Sequence, residues 1–154
     1  MRPHGFTGNG APGFQRHHLI PVNLIQRRAF APVFLLAKSV GFDARNFLSN
    51  GTLLPANEAM VEQTGLPLHR GPHPQYDQLV ADCLNEISNV IANDPSVAPI
   101  LAYRRISELQ GRLRRALNND ASLMLNRNDP RGAICPLFKL DHDILQLSME
   151  DFLA

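Results

Sequence analysis

In the second half of the chain, apolar residues recur at helical spacing over two long stretches. Tyr76, Leu79, Val80, Cys83, Leu84, Ile87, Val90 and Ile91 step by threes and fours and predict a helix from about His73 to Ala92. Pro72 suits its first position, where a missing N–H costs nothing. Asp94-Pro95 interrupts the pattern, and Ile100, Leu101, Ile106, Leu109, Leu113 and Leu117 then predict a second helix from about Val97 to Leu117. The first half is more broken. Residues 1–14 are rich in Gly and Pro, show no period, and read as a loose lead-in. QRHHLIPV gives a short extended piece ending at Pro21. Helical spacing from Asn23 to Val40 carries an expected break near Pro32. Gly41 can end that helix, and Asp43 can cap a following turn. Asn50-Gly51 is a turn signal, and Thr52-Leu53-Leu54 a short strand stopped by Pro55. Asn57 to Thr64 reads as one or two helical turns with Gly65 as the stop, and LPLHRGP as a loop. NNDASLMLNRNDPRG returns to loop character, and DHDILQLSMEDFL predicts a final short helix with Asp141 as its cap.

The pattern predicts an α+β, mostly helical architecture. Two strands this short do not stand alone. They must pack on the helix that begins near His73, which brings His17 and His18 towards His69 and His73. The 154 residues suit a single domain: a lead-in at 1–14, a core at 15–93 and a C-terminal helical extension at 94–154.

Composition narrows the class. A hydrophobic fraction of 44% and a charged fraction of 19% are those of a globular protein with a packed core. The apolar run FAPVFLLA is too short to cross a bilayer, and no basic-then-apolar leader precedes it, so no classical signal peptide is expected. Cys83 and Cys135 match no zinc or redox spacing and read as reduced, packed residues. Net charge is only +1, but it is unevenly spread. Residues 1–42 carry five basic residues and no acid, residues 104–115 carry five arginines against Glu108, and the last 17 residues carry Lys139 against four acids. Such a distribution can give one positive face on a near-neutral protein, though the 104–115 arginines equally fit a solvated helix face.

Four of the six histidines fall in two tight pairs, His17-His18 and His69 with His73, on either side of Asn50. Neutral imidazole is a common metal ligand. His69 and His73 stand four apart, a spacing that lets one helical turn present both to one ion, although Gly71-Pro72 disturbs that turn. Two partly exposed loop histidines would show the same spacing. Neighbours in a strand point to opposite faces, so His17 and His18 cannot easily share an ion. One fits a ligand and the other a base, since an imidazole near pKa 6.5 takes protons well at neutral pH.

The run from His17 to Tyr76, with its pieces HHLIP, a helical insert ending GFD, NGTLLP and HRGPHPQY, resembles the AHH-type nucleases of the HNH/endonuclease VII superfamily, as found in bacterial polymorphic toxins. Arg16 stands where the family has the alanine of its name. The resemblance implies a ββα-metal (HNH) finger with additional packed helices. It implies His17, His73 and His69 as metal ligands, His18 as general base, and Asn50 holding the loop and orienting the His18 ring. Arg70 and Arg16 are candidate phosphate contacts. Tyr76 fits the core better than the chemistry, and His4 and His142 fit the surface.

The implied activity is a metal-dependent endonuclease on DNA in preference to RNA, using Mg2+, Mn2+, Ni2+ or Zn2+. The resemblance also implies an antibacterial toxin or effector domain made in the bacterial cytoplasm. Such a domain would be delivered by a specialised secretion system and restrained by a cognate immunity protein. The rival reading is a non-catalytic, zinc-stabilised module that binds nucleic acid or protein. It leaves His18 and Asn50 without work.

Overall fold

Strands β1 (Phe14–His18) and β2 (Gly51–Pro55) pair antiparallel, with Phe14 opposite Pro55 and His18 opposite Gly51. The structure, a computed structural model, describes residues 11–119 and 124–133. Most of the lead-in with His4, and the C-terminal stretch with Cys135, Asp141, His142 and the expected last helix, lie outside these residues.

Three short helices join the strands: α1 (Val22–Ile25), α2 (Ala31–Ser39) and α3 (Phe47–Asn50). After β2 come α4 (Glu58–Thr64), the long α5 (Pro74–Asn93), a 3-10 turn at Pro95–Val97 and the long α6 (Ala98–Asn119). A second 3-10 turn spans Pro130–Ala133. The result is α+β and mostly helical. Helix α2 packs along α6, and α6 along α5. Leu19, Ile20, Leu24, Leu54, Leu84, Ile87, Ile106, Leu109 and Leu113 are buried between these elements and the sheet. The phenol of Tyr76 donates to the Leu19 carbonyl at 2.7 Å, which ties the end of β1 to the first turn of α5. A buried tyrosine needs such a partner for its hydroxyl.

Several boundaries differ from the sequence expectation, each for a local reason. The break expected near Pro32 falls earlier, at residues 26–30. Pro32 sits in the first turn of α2, where its ring is compatible with helix. Likewise Pro74, not Pro72, opens α5, and His73 is its N-cap. Asp43 does cap the turn that follows it, its side chain accepting from the Arg45 N–H at 3.0 Å, and Asn46 then caps α3 by accepting from the Leu48 N–H at 3.0 Å. Asn50-Gly51 forms no tight hairpin turn. Asn50 ends α3, and Gly51 is extended at φ −143°, already in β2. On α6, Ile100 is 59% exposed, because the buried stripe runs through Ala98, Ala102, Ile106, Leu109 and Leu113 and leaves it to one side. Gly65 does stop α4, in the left-handed conformation at φ 71°. The buried positions of α5 follow the predicted period, with Val90 only half-buried.

Candidate metal centre

Alternation along β1 turns the ring of His17 inward and that of His18 away from it. His17 is 1% exposed, and its ring centroid lies 4.8 Å from that of His69 and 5.0 Å from that of His73. The His69 and His73 rings are 5.4 Å apart. One ligand nitrogen from each of the three lies within 4.8 Å of the other two. The structure therefore gathers both ends of the second pair, although not from a single helical turn. His73 caps α5, while His69 belongs to the loop before it.

That loop is held from two sides. The His69 N–H donates to the Pro55 carbonyl at 2.8 Å, extending the end of β2. The Leu68 N–H donates to Asp129 at 2.8 Å, and Arg131 grips the same carboxylate through its Nε and a terminal nitrogen at 2.9 and 2.7 Å. Burial alone would raise the Asp129 carboxyl, but the hydrogen bonds from Arg131 and from the Leu68 and Arg131 N–H groups outweigh it and hold the group below its usual range. On α5, Asp77 lies 3.0 Å from His73 Nδ1. A carboxylate there keeps the proton on Nδ1 and leaves the Nε2 lone pair for a ligand.

The chemistry of the three imidazoles fits a cation. His17 Nε2 and His69 Nδ1 are buried and meet no hydrogen-bond partner among the described residues. Buried polar atoms are nearly always satisfied, so two orphaned ring nitrogens in one cluster point to a missing electron-pair acceptor. Burial, reinforced by the neighbouring His69, His73 and His18, drives the His17 pKa down to about 2. Burial and His73 bring His69 to about 4. Both rings are thus neutral at ordinary pH, the form that ligates.

His18 has different surroundings. It is half-buried, its ring meets Phe47 edge-on at 5.8 Å, and burial and then Arg16 lower its pKa below the ordinary value. Phe47 lies where a side chain on residue 51 would be: a Cβ on Gly51 would come within 2.1 Å of its ring. The glycine after Asn50 is thus a space requirement, since its φ is ordinary. The exposed Arg16 lays its guanidinium carbon 3.9 Å above the other part of this arrangement, the Phe47 ring centre.

Asn50 is fully buried. Its Oδ1 accepts from the Ile20 N–H at 2.8 Å and from Gln110 at 3.2 Å, and its Nδ2 donates to the Ile20 carbonyl at 2.9 Å. The Leu19 N–H donates to the Asn50 carbonyl at 3.0 Å. Asn50 thus clamps the two residues that follow His18, Leu19 through its carbonyl and Ile20 through its side-chain amide, and no hydrogen bond to the His18 ring is among its contacts in the described residues. Arg70 is exposed and pairs with Glu58 at 2.7 Å. Arg114 reaches from α6 to three carbonyls, of Leu48, Ser49 and Gly51, at 2.9 to 3.1 Å. Asp77, Asp129 and Gln110 were not singled out by sequence pattern, and Arg114 only as one of the five arginines of residues 104–115. Only Asp77 carried a local signal, standing four residues after His73 on a helix.

Residues 5–96 match the family model AHH, a nuclease family of the HNH/ENDO VII superfamily with conserved AHH. The chain belongs to the AHH nuclease family. No curated protein and no solved structure matches it. The one His-His pair within the matched residues is His17-His18, preceded by Arg16. Position 16 faces outward, so a long side chain there meets no packing conflict. Membership makes the protein a nuclease, a hydrolase with nucleic acid as substrate, and nucleases of this superfamily use a divalent metal ion, for which the histidine cluster offers a place. Among the described residues, no helix of this AHH nuclease is long and apolar enough to cross a membrane.

Proposed function

We propose that this AHH nuclease is a metal-dependent endonuclease of DNA in which His17, His69 and His73 hold the ion and His18 is the general base. The observation that carries the reading is the pair of orphaned, buried ring nitrogens inside a three-histidine cluster, with a fourth histidine next in the chain and turned the other way. An all-imidazole donor set suits Zn2+ or Ni2+ better than Mg2+. The ion, when bound, supplies positive charge against the phosphate and the leaving 3′ oxygen.

The chain's own groups do the rest. His18, neutral above its lowered pKa, takes a proton from the attacking water. Asn50 fixes the backbone just after it through Leu19 and Ile20. Asp77 holds the His73 ring in its ligating tautomer. Arg16, exposed on the His18 side of Phe47, meets a backbone phosphate. Arg70 joins it on exchanging Glu58 for a phosphate oxygen, since an exposed ion pair is worth at most about 1 kcal/mol. Binding through phosphates makes affinity fall steeply with salt.

The resemblance to nuclease domains of bacterial polymorphic toxins extends the proposal to an antibacterial effector with a cognate immunity protein. Growth arrest on expression, relieved by a neighbouring reading frame, is the expected result. The enzymatic claim is tested by plasmid nicking with Zn2+, Ni2+, Mn2+ or Mg2+. Nicking that EDTA abolishes is expected, and nicking indifferent to EDTA contradicts the mechanism.

A further inference from the structure

Beside the metal centre, on the side of His73, lies a cavity of about 380 Å³. One wall is Pro72 with the first turn of α5 at Pro74 and Gln75; the other is the short segment Leu125, Asn126 and Arg127. That second wall lies outside residues 5–96, the part of the chain that matches the family model.

The segment is firmly seated. Leu125 packs against the hydrophobic core. The Asn126 amide donates to the Arg70 carbonyl, and its Oδ1 accepts from the Asn128 N–H. Asp129 holds the Leu68 N–H, and Arg131 donates to the Gly65 carbonyl at 2.9 Å. These bonds run to both sides of His69. The wall is thus fixed to the same loop that supplies a metal ligand, and its distance from the centre is set by that loop.

The lining is mixed in a particular way. Two proline rings and Leu125 give apolar faces, Gln75 gives an exposed amide, and Arg127 gives an exposed guanidinium. Apolar faces with a few polar groups and a volume of a few hundred Å³ describe a small-ligand site. The proline and leucine faces take a nucleobase or sugar by apolar contact, the amide reads a base edge, and the guanidinium takes a phosphate.

We propose that this cavity is a subsite for one nucleotide of the DNA strand flanking the bond that is cut, with Arg127 on its phosphate. The proposal rests on the DNA-nuclease reading above and adds to it where the strand runs. The subsite gives the enzyme a grip on a neighbouring nucleotide that the metal centre alone does not supply.

The test is binding of a fluorescein-labelled single-stranded deoxyoligonucleotide to the full chain in EDTA, read by anisotropy at fixed salt. Arg127→Ala weakens binding about tenfold, the loss of one charge-assisted contact, and lowers the salt slope by about one. Arg104→Ala, an equal loss of charge at an exposed α6 position, leaves affinity within about twofold. Thymidine 5′-monophosphate displaces the oligonucleotide from the parent, and inorganic phosphate at the same concentration does not. Equal losses from both substitutions would reduce the effect to general charge and overturn the subsite. So would displacement by inorganic phosphate alone, or an Arg127→Ala affinity equal to the parent's. Plasmid nicking by the same variants, with Zn2+ or Ni2+ in place of EDTA, is scored separately. Intact binding differences without any nicking would refute the nuclease mechanism and leave the subsite standing.

Discussion

The histidine cluster and helix α6 are the two places where this chain concentrates polar chemistry, and they use it in opposite ways. Around His17, His69 and His73 the fold gathers groups and leaves two of their ring nitrogens, His17 Nε2 and His69 Nδ1, unpaired. Along α6 it takes in several of its charged groups: Arg114 is spent on three carbonyls of the turn into β2, Arg112 pairs with Glu108 at 2.7 Å, and Arg105 is buried. Arg104 and Arg115 remain exposed. A cluster of like side chains therefore points to function when their polar atoms converge without partners. A row of arginines on a helix that packs into the core is first of all scaffolding.

The largest expected effect lies on the catalytic side of this contrast. His18→Ala lowers nicking by about 100- to 10,000-fold, the range for a general base, with an unchanged melting temperature. An unaltered rate would remove His18 from the mechanism. The next tests the burial of the cluster. His17 and His69, with pKa values of about 2 and about 4, stay neutral in the folded chain, whereas the unfolded chain protonates both near 6.5. Below that pH the unfolded state binds protons that the folded state refuses. Stability of the metal-free chain is therefore complete above about pH 6.5 and falls with pH below it, by up to about 1.4 kcal/mol per pH unit for His17. Denaturant titrations between pH 7 and 4.5 check the slope, and a flat profile would deny that the rings are buried and neutral.

Smaller effects come from the supporting groups. Asp77→Ala weakens metal binding about 10- to 100-fold by freeing the His73 tautomer. On α6, Arg114→Ala costs about 2 kcal/mol of stability because three carbonyls lose a charged donor. Arg104→Ala and Arg115→Ala each change stability by less than about 0.5 kcal/mol. Equal costs along the helix would erase the distinction between scaffold and surface.

Much of this was legible in sequence, and the reason is the range of the interactions involved. The period of α5 and the stop at Gly65 are local, and they were readable. The order of the four histidines around Asn50 was readable too, because a strand alternates and a helix start has fixed chemistry. Long-range partners were not. Nothing near Leu68 announces Asp129, and nothing near Asn50 announces Gln110. Asn50-Gly51 misled as a turn because the glycine is there to admit the Phe47 ring, a contact that periodicity does not reveal. Ile100 misled because it is apolar but one step off a stripe that alanines complete.

The unequal assignment of the histidines is tested most directly by calorimetric titration of the full chain with Zn2+ or Ni2+. The parent binds a single ion. His17→Ala, His69→Ala and His73→Ala each abolish or severely weaken that binding, and His18→Ala retains it. Loss of the ion in His18→Ala, or its retention in any of the other three, would contradict the centre described here.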